Sequence, residues 1–261
     1  MPEDLLIERV GTVAVVTFNR PERMNAISWN VLGLFRDAVN SVDADADVRA
    51  VVLTGNGRAF SAGTDLQELA DDNQALGRKP VEQSKNTAGP WDMTRIGKPT
   101  VAAINGAAVG LGVELATQCD VRIGTPNSRC SWAFPLRGLV PDTGAATYIL
   151  PHIVGLQNAL KWTMSGRMVN ADELAATRFI DEIVEPEQLR ARAIAVAEEL
   201  SKGAPIAIRE TKRLMYRGFG RGSDEHVADN AATLNRMFAT EDHKEGVQAF
   251  LQKREPVFKG R

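Results

Sequence analysis

Ala59-Phe60-Ser61-Ala62-Gly63-Thr64-Asp65 and Ile104-Asn105-Gly106-Ala107-Ala108-Val109-Gly110-Leu111-Gly112-Val113-Glu114-Leu115 are built alike. Each follows an apolar run of strand character, Ala50 to Leu53 before the first and Val101 to Ile104 before the second. Each then passes through small residues into a helical pattern. Small residues at a strand-to-helix turn let the main chain approach a ligand closely. The first turn of a helix leaves amide N–H groups unpaired at the positive end of the helix dipole. Two such turns aimed at one oxygen make an oxyanion hole from main chain alone. That arrangement points to reactions in which a carbonyl becomes an enolate.

Outward from these stretches, the pattern alternates strands with helices. Leu5 to Val10 and Val13 to Phe18 read as a hairpin about Gly11-Thr12. A loop at Arg20-Pro21-Glu22-Arg23-Met24-Asn25 precedes a helix that Ser28 caps, with apolar residues at Val31, Leu34, Phe35, Ala38 and Val39. Ala50 to Thr54 is a buried-type strand, and Leu66 to Leu69 starts a short helix. Asp71 to Pro90 is polar with scattered Gly and Pro and is expected to be mobile. A helix from about Gly112 to Gln118, a strand from Val121 to Gly124 and a further strand near Arg129 to Phe134 follow. Pro141-Asp142-Thr143-Gly144 opens another helix, with Asp and Thr as candidate caps. From Gln157 the pattern is mostly helical, with breaks at Gly166, Gly203-Ala204-Pro205 and Gly218 to Gly222. This order predicts an α/β core of layered sheets with helical packing at the end.

Composition excludes more than it assigns. The chain has 261 residues, 44% of them hydrophobic and 25% charged, enough to bury a sizeable core. A net charge of -2 gives no argument for nucleic acid or a membrane surface. The acidic start Met1-Pro2-Glu3-Asp4 is unlike a targeting peptide, and Asn105-Gly106 interrupts the apolar run from Val101 too soon to span a bilayer, so a cytoplasmic location is expected. Cys119 and Cys130 read as buried thiols rather than a disulfide framework. His152, His226 and His243 lack metal-ligand spacing, so no metal is expected. Gly110-Leu111-Gly112 starts like a dinucleotide fingerprint, but Leu115 stands where its third glycine belongs. Ser61 is not in a nucleophile elbow.

Four of these motifs, in this order, resemble the crotonase superfamily, the enoyl-CoA hydratase/isomerase family. Ala59 to Leu66 is similar to its first oxyanion loop, and Lys98-Pro99 through Glu114-Leu115-Ala116 to Cys119-Asp120 to its second. Arg20-Pro21 with Asn25-Ala26 resembles its first coenzyme A loop, and Gly138-Leu139-Val140-Pro141-Asp142-Thr143-Gly144 its last active-site turn. The resemblance implies a crotonase (ClpP-like) spiral of ββα repeats over residues 1–200, with a C-terminal helical trimerisation region at 201–261. It implies acyl-CoA thioester substrates, with coenzyme A as part of the substrate and no other cofactor, and homotrimers or hexamers made of two trimers. The oxyanion amides map to Thr64 and Leu111; the latter position is commonly Gly, so Leu111 is a departure. Arg23, Met24, Ala26, Ala62, Asp65 and Leu66 map to coenzyme A contacts. Phe250, Lys253 and Phe258 lie where relatives cover a neighbour's coenzyme A, or they are plain helical surface.

The carboxylates carry the choice of chemistry. Hydratases of the family hold a water between two glutamates. Glu114 matches the first, but Phe134 stands at the second position, and Phe neither accepts a proton nor orients water. Asp142 falls where several isomerases of the superfamily carry their acid or base. The favoured expectation is an enoyl-CoA isomerase with Asp142 as the proton shuttle, Glu114 assisting, and Trp132 and Phe134 as apolar walls that raise the basicity of Asp142. Leu111, Phe134 and Asp71 to Pro90 are expected to shape the acyl pocket. An enoyl-CoA hydratase using Glu114, alone or with Asp142, is the alternative. A non-catalytic acyl-CoA-binding subunit is a third reading; the bland readings make Asp142 a mere helix cap and Trp132 and Phe134 plain core.

Overall fold

The computed structural model describes residues 3–70 and 92–261, and the expected mobile segment Asp71 to Pro90 lies outside them. The hairpin forms as the pattern predicts: β1 (Leu5–Val10) and β2 (Val13–Phe18) pair antiparallel around Gly11, whose φ of +59° suits glycine. The helix α1 (Trp29–Ala44) follows, and the amide of Val31 donates to the hydroxyl of Ser28 at 3.1 Å, so Ser28 is its N-cap.

A repeated excursion then builds the molecule. β3 (Ala50–Gly55) leads to β4 (Ala59–Ser61) and to a helix that begins at residues 66–70. After a short helix α2 (Asp92–Arg95), β5 (Thr100–Ile104) leads to β6 (Ala107–Val109) and α3 (Leu111–Gln118). Next, β7 (Val121–Gly124) leads to β8 (Arg129–Ser131) and, after a turn, to α4 (Ala145–Tyr148). Helices α5 (Leu150–Val154) and α6 (Leu156–Ser165) follow, then β9 (Val169–Asn170), α7 (Ala171–Ala176), β10 (Glu182–Ile183) and α8 (Leu189–Leu200). The last three helices are α9 (Pro205–Gly218), α10 (Ser223–Phe238) and α11 (Glu241–Gln252).

The first strand of each excursion joins one sheet, in the order β1-β2-β3-β5-β7-β10, parallel from β2 onward. The second strand joins a smaller sheet, β4-β6-β8-β9. Stacking of like strands makes the chain an α/β spiral of strand–strand–helix units. The larger sheet is covered on both faces. Val16, Phe18, Val51, Leu53, Ala102 and Ile104 face the main core, while Val13, Val15, Val52, Val101 and Ile123 pack on Leu189, Ala193 and Ala197 of α8. That double burial is why these strands read as unbroken apolar runs.

Two expectations are corrected. The strand near Arg129 to Phe134 stops at Ser131, and Pro135–Arg137 forms a turn of 3-10 helix. Helix α4 is not capped by an Asp142 side chain; its N-cap is Gly144 in the left-handed region, φ +79°. Cys119 and Cys130 are free and buried, and burial raises the pKa of both thiols, Cys119 to about 12. Among the described residues, no helix is long and apolar enough to cross a membrane, and no group of three metal-ligating side chains forms.

Candidate active site

Parallel stacking of β4 on β6 brings the two small-residue turns face to face. Gly63 has φ +87°, and a Cβ there would lie 2.5 Å from the carbonyl oxygen of Val109 and 3.2 Å from the amide nitrogen of Leu111. A Cβ on Gly112 would lie 2.6 Å from the carbonyl oxygen of Ser61. The turns that carry Thr64 and Leu111 are thus in backbone contact, and only glycine allows it. The Ile27 amide donates to Gly63 O at 2.8 Å and the Asp65 amide donates to Ile27 O at 2.9 Å, a parallel bridge centred on Thr64. In such a bridge the flanked residue points its own N–H and C=O away from the partner strand. Leu111 opens α3, where no intrahelical carbonyl accepts its amide.

The two acids have opposite surroundings. Glu114, on the entirely buried helix α3, accepts from the Thr143 hydroxyl at 2.6 Å, from the Ala145 amide at 3.0 Å and from the Ala146 amide at 3.0 Å. Those donors are the open end of α4, so Glu114 caps it from a distance, and the Thr143 hydroxyl, a candidate cap in the sequence, accepts from the Ala145 amide as well, at 3.2 Å. Burial raises its pKa to about 7, with the Asp142 charge adding to the rise, against the lowering effect of Thr143 and the two amides. Asp142 is solvent-accessible, yet the protein crowding around its carboxyl raises the pKa to about 6, while the amides of Thr143 and of Asp142 itself pull it down. Accessibility makes this crowding at a rim rather than enclosure.

The loop mapped to coenzyme A is fastened to the first turn. Met24 and Asn25 both have left-handed φ, 53° and 55°. Asn25, buried, donates to Ala59 O at 2.7 Å and Asn56 O at 2.9 Å and accepts from the Arg20 amide at 2.9 Å. The Ala62 amide donates to Met24 O at 2.9 Å. The buried Asp65 carboxylate lies 3.5 Å from Arg20 and 3.6 Å from Arg23. Arg23, Ala62 and Leu66 are exposed, and Met24 and Ala26 are half-buried, so Arg23, Met24, Ala26, Ala62, Asp65 and Leu66 share one rim. Asn25 is the residue sequence reasoning passed over as part of a motif. Its signal was residue type, since Asn tolerates the left-handed region and bonds locally.

Trp132 packs as the plain-core reading expects. It is fully buried, stacked on Trp162 at 5.4 Å and 13°, with Phe179 edge-on at 5.3 Å. Phe134 is buried too, at the start of the 3-10 turn, where its carbonyl accepts from the Arg137 and Leu139 amides at 2.9 and 3.1 Å. A cleft of about 520 Å³ beside α9, ringed by Tyr148, Arg209, Arg213 and Phe219, includes none of Thr64, Leu111, Glu114 or Asp142.

A spiral of strand–strand–helix units with paired backbone turns and two acids defines a class, and comparison places the chain in it. The family model "Enoyl-CoA hydratase/isomerase" matches residues 8–261, and the chain belongs to that family. It is 32% identical over 252 residues to a short-chain-enoyl-CoA hydratase of Clostridium acetobutylicum, covering 96% of this chain and 95% of that protein. A crotonyl-CoA hydratase of Syntrophomonas wolfei is 32% identical over 264 residues, with 98% of each covered. The crystal structure of an enoyl-CoA hydratase from Bacillus anthracis superimposes with a TM-score of 0.90 at 29% identity, covering 99% of this chain and 100% of that one. The fold is therefore the crotonase fold, and the chain is an acyl-CoA thioester enzyme of the hydratase/isomerase family.

Proposed function

We propose that the chain is an enoyl-CoA isomerase that moves a double bond into conjugation with the thioester. The amides of Thr64 and Leu111 donate to the thioester oxygen, which acidifies the adjacent carbon. Asp142 takes a proton from that carbon, leaving an enolate spread over the former double bond. It then returns the proton two carbons further along. Each main-chain donor of this kind is worth roughly 10²–10³ in rate, and the positioned carboxylate about 10²–10⁴.

One observation carries the reading: of the two acids, Asp142 alone is accessible. A carboxylate has about four acceptor positions. Three donors already occupy Glu114, leaving it little capacity to hold a water, and the position that the family resemblance gives to the second glutamate carries Phe134. The hydratase names of the relatives favour hydration through Glu114 as the second reading.

Separate incubation with trans-3-enoyl-CoA and trans-2-enoyl-CoA tests both. A gain of conjugated thioester absorbance with the first supports isomerisation. Loss of that absorbance with the second, and no change with the first, replaces it with hydration. Binding without turnover across both substrates points to a non-catalytic acyl-CoA-binding subunit.

We propose the same acyl-CoA pocket contacts as the family for Arg23, Met24, Ala26, Ala62, Asp65 and Leu66, and a homotrimer or a pair of trimers. The strongly exposed Phe250 (83%), Leu251 (74%), Val257 (66%) and Met215 (65%) on and beside the last helices support assembly, since large apolar side chains in such numbers mark interfaces. Sedimentation as a monomer at micromolar concentration overturns the assembly.

A further inference from the structure

We propose that Thr143 is a positioning residue whose hydroxyl ties the Asp142 turn to Glu114, so that Glu114 acts as a buttress of that turn and not as a proton carrier. The inference rests on the reading of Asp142 as the proton shuttle. Thr143 Oγ1 donates to Glu114 Oε2 at 2.6 Å and accepts from the Ala145 amide at 3.2 Å. The Ala145 amide is shared with Glu114 Oε2 at 3.0 Å, and the Ala146 amide donates to Glu114 Oε1 at 3.0 Å. Both carboxylate oxygens of Glu114 are therefore spent on the main chain and the hydroxyl that follow Asp142.

The placement of the two partners gives the contact its consequence. Glu114 sits one turn into α3, the helix whose first residue is Leu111, and every residue of that helix is buried. Gly138 and Gly144, with φ of +68° and +79°, bracket the turn that carries Asp142, and most of that turn is exposed. Among the described residues, the bond from Thr143 to Glu114 is the one hydrogen bond that ties residues 140–143 to an element other than the adjoining α4. The hydroxyl thus fixes the distance between the rigid helix start and the carboxylate that must reach two carbons of a substrate held there. A shift of about 1 Å in such a geometry costs on the order of 100-fold in rate.

Four single variants and one double variant test it on trans-3-enoyl-CoA. Thr143→Val keeps the shape and removes the hydroxyl; it is expected to lower kcat about 10- to 100-fold with KM within about twofold. Thr143→Ser restores the hydroxyl and is expected to stay within a few-fold of the unaltered enzyme. Thr143→Val added to Glu114→Gln is expected to lose less than the product of the two single losses, because both variants disturb the same contact. Unchanged kcat in Thr143→Val, equal loss in Thr143→Ser, or full multiplication in the double variant overturns the proposal. Asp142→Asn separates the two levels. If it abolishes isomerisation while Thr143→Val is normal, the buttress alone falls; if it leaves isomerisation intact, the reading of Asp142 falls and takes the buttress with it.

Discussion

Two carboxylates of the same chemistry are assigned different work by what surrounds them. Asp142 is reachable and crowded, with a pKa of about 6, which suits a base near neutral pH. Asp142→Asn is expected to lower kcat for isomerisation by about 10²–10⁴ with KM nearly unchanged; a variant with more than a tenth of the original rate rules the assignment out. Because the charged form is the base, kcat/KM is expected to climb as pH rises through 6, and a flat acid side in a pH–rate profile contradicts this. Glu114 bears on stability as well. Its folded pKa of about 7 lies above its ordinary 4.5, so the folded chain holds a proton that the unfolded chain has released. The stabilisation linked to that proton is full below pH 4.5 and is lost as pH rises through 7, about 3 kcal/mol in all. Glu114→Gln has no such proton. Urea midpoints of the two proteins are therefore expected to shift in favour of the variant as pH goes from 4.5 to 8; a constant difference defeats the linkage.

At the scale of elements, the site is the meeting of two turns, and Gly63 is where they touch. Ala at 63 sets a left-handed backbone strain of about 1–3 kcal/mol beside a Cβ placed 2.5 Å from Val109 O. Backbone on both sides leaves nothing flexible to yield. Gly63→Ala is expected to lower kcat and raise KM together and to reduce the melting temperature, and normal turnover in that variant removes the contact from the argument. These turns were legible because close approach demands small residues, and that demand is written locally at Gly63, Gly110 and Gly112. The long strands were legible for a related reason: burial on both faces leaves continuous apolar runs. The first two strands of the second sheet were not. Ala59–Ser61 and Ala107–Val109 are three residues each and rich in alanine, which carries no strand preference. The cap of α4 was legible only in part: Thr143 was a candidate and does accept from the Ala145 amide, but the Glu114 acceptor comes from 31 positions before Ala145. Trp132 stayed open between pocket wall and core because apolar aromatic character serves both equally well; its stacking on Trp162 could not be read locally.

Across the whole molecule, the last helices must be held to the spiral that carries the site, and one buried cation makes that junction. Lys212 of α9 is 8% exposed. It donates to Asp120 Oδ2 at 2.8 Å, to Lys98 O at 3.0 Å and to Met93 O at 3.1 Å. The same Asp120 accepts from the Thr100 amide at 2.8 Å, from its hydroxyl at 3.0 Å and from the Tyr216 hydroxyl at 2.9 Å. Asp120 lies in the loop between α3 and β7, so α9 is bonded at once to that loop, to α2 and to the start of β5. Losing one partner of such a pair leaves the other charge poorly solvated. Lys212→Met, which keeps the stem and removes the charge, is expected to cost about 3 kcal/mol, somewhat less than a wholly enclosed pair because Asp120 keeps some water contact. Adding Asp120→Asn to Lys212→Met removes the orphaned carboxylate and is expected to recover part of that loss, the signature of a coupled pair. Hydrogen exchange is expected to quicken first along α9, while β3 and β5 stay protected, because the spiral keeps its own double-sided core. A Lys212→Met protein with unchanged urea midpoint, or a double variant in which the two losses simply add, shows that the helices are held by their apolar faces and that this ion pair is incidental.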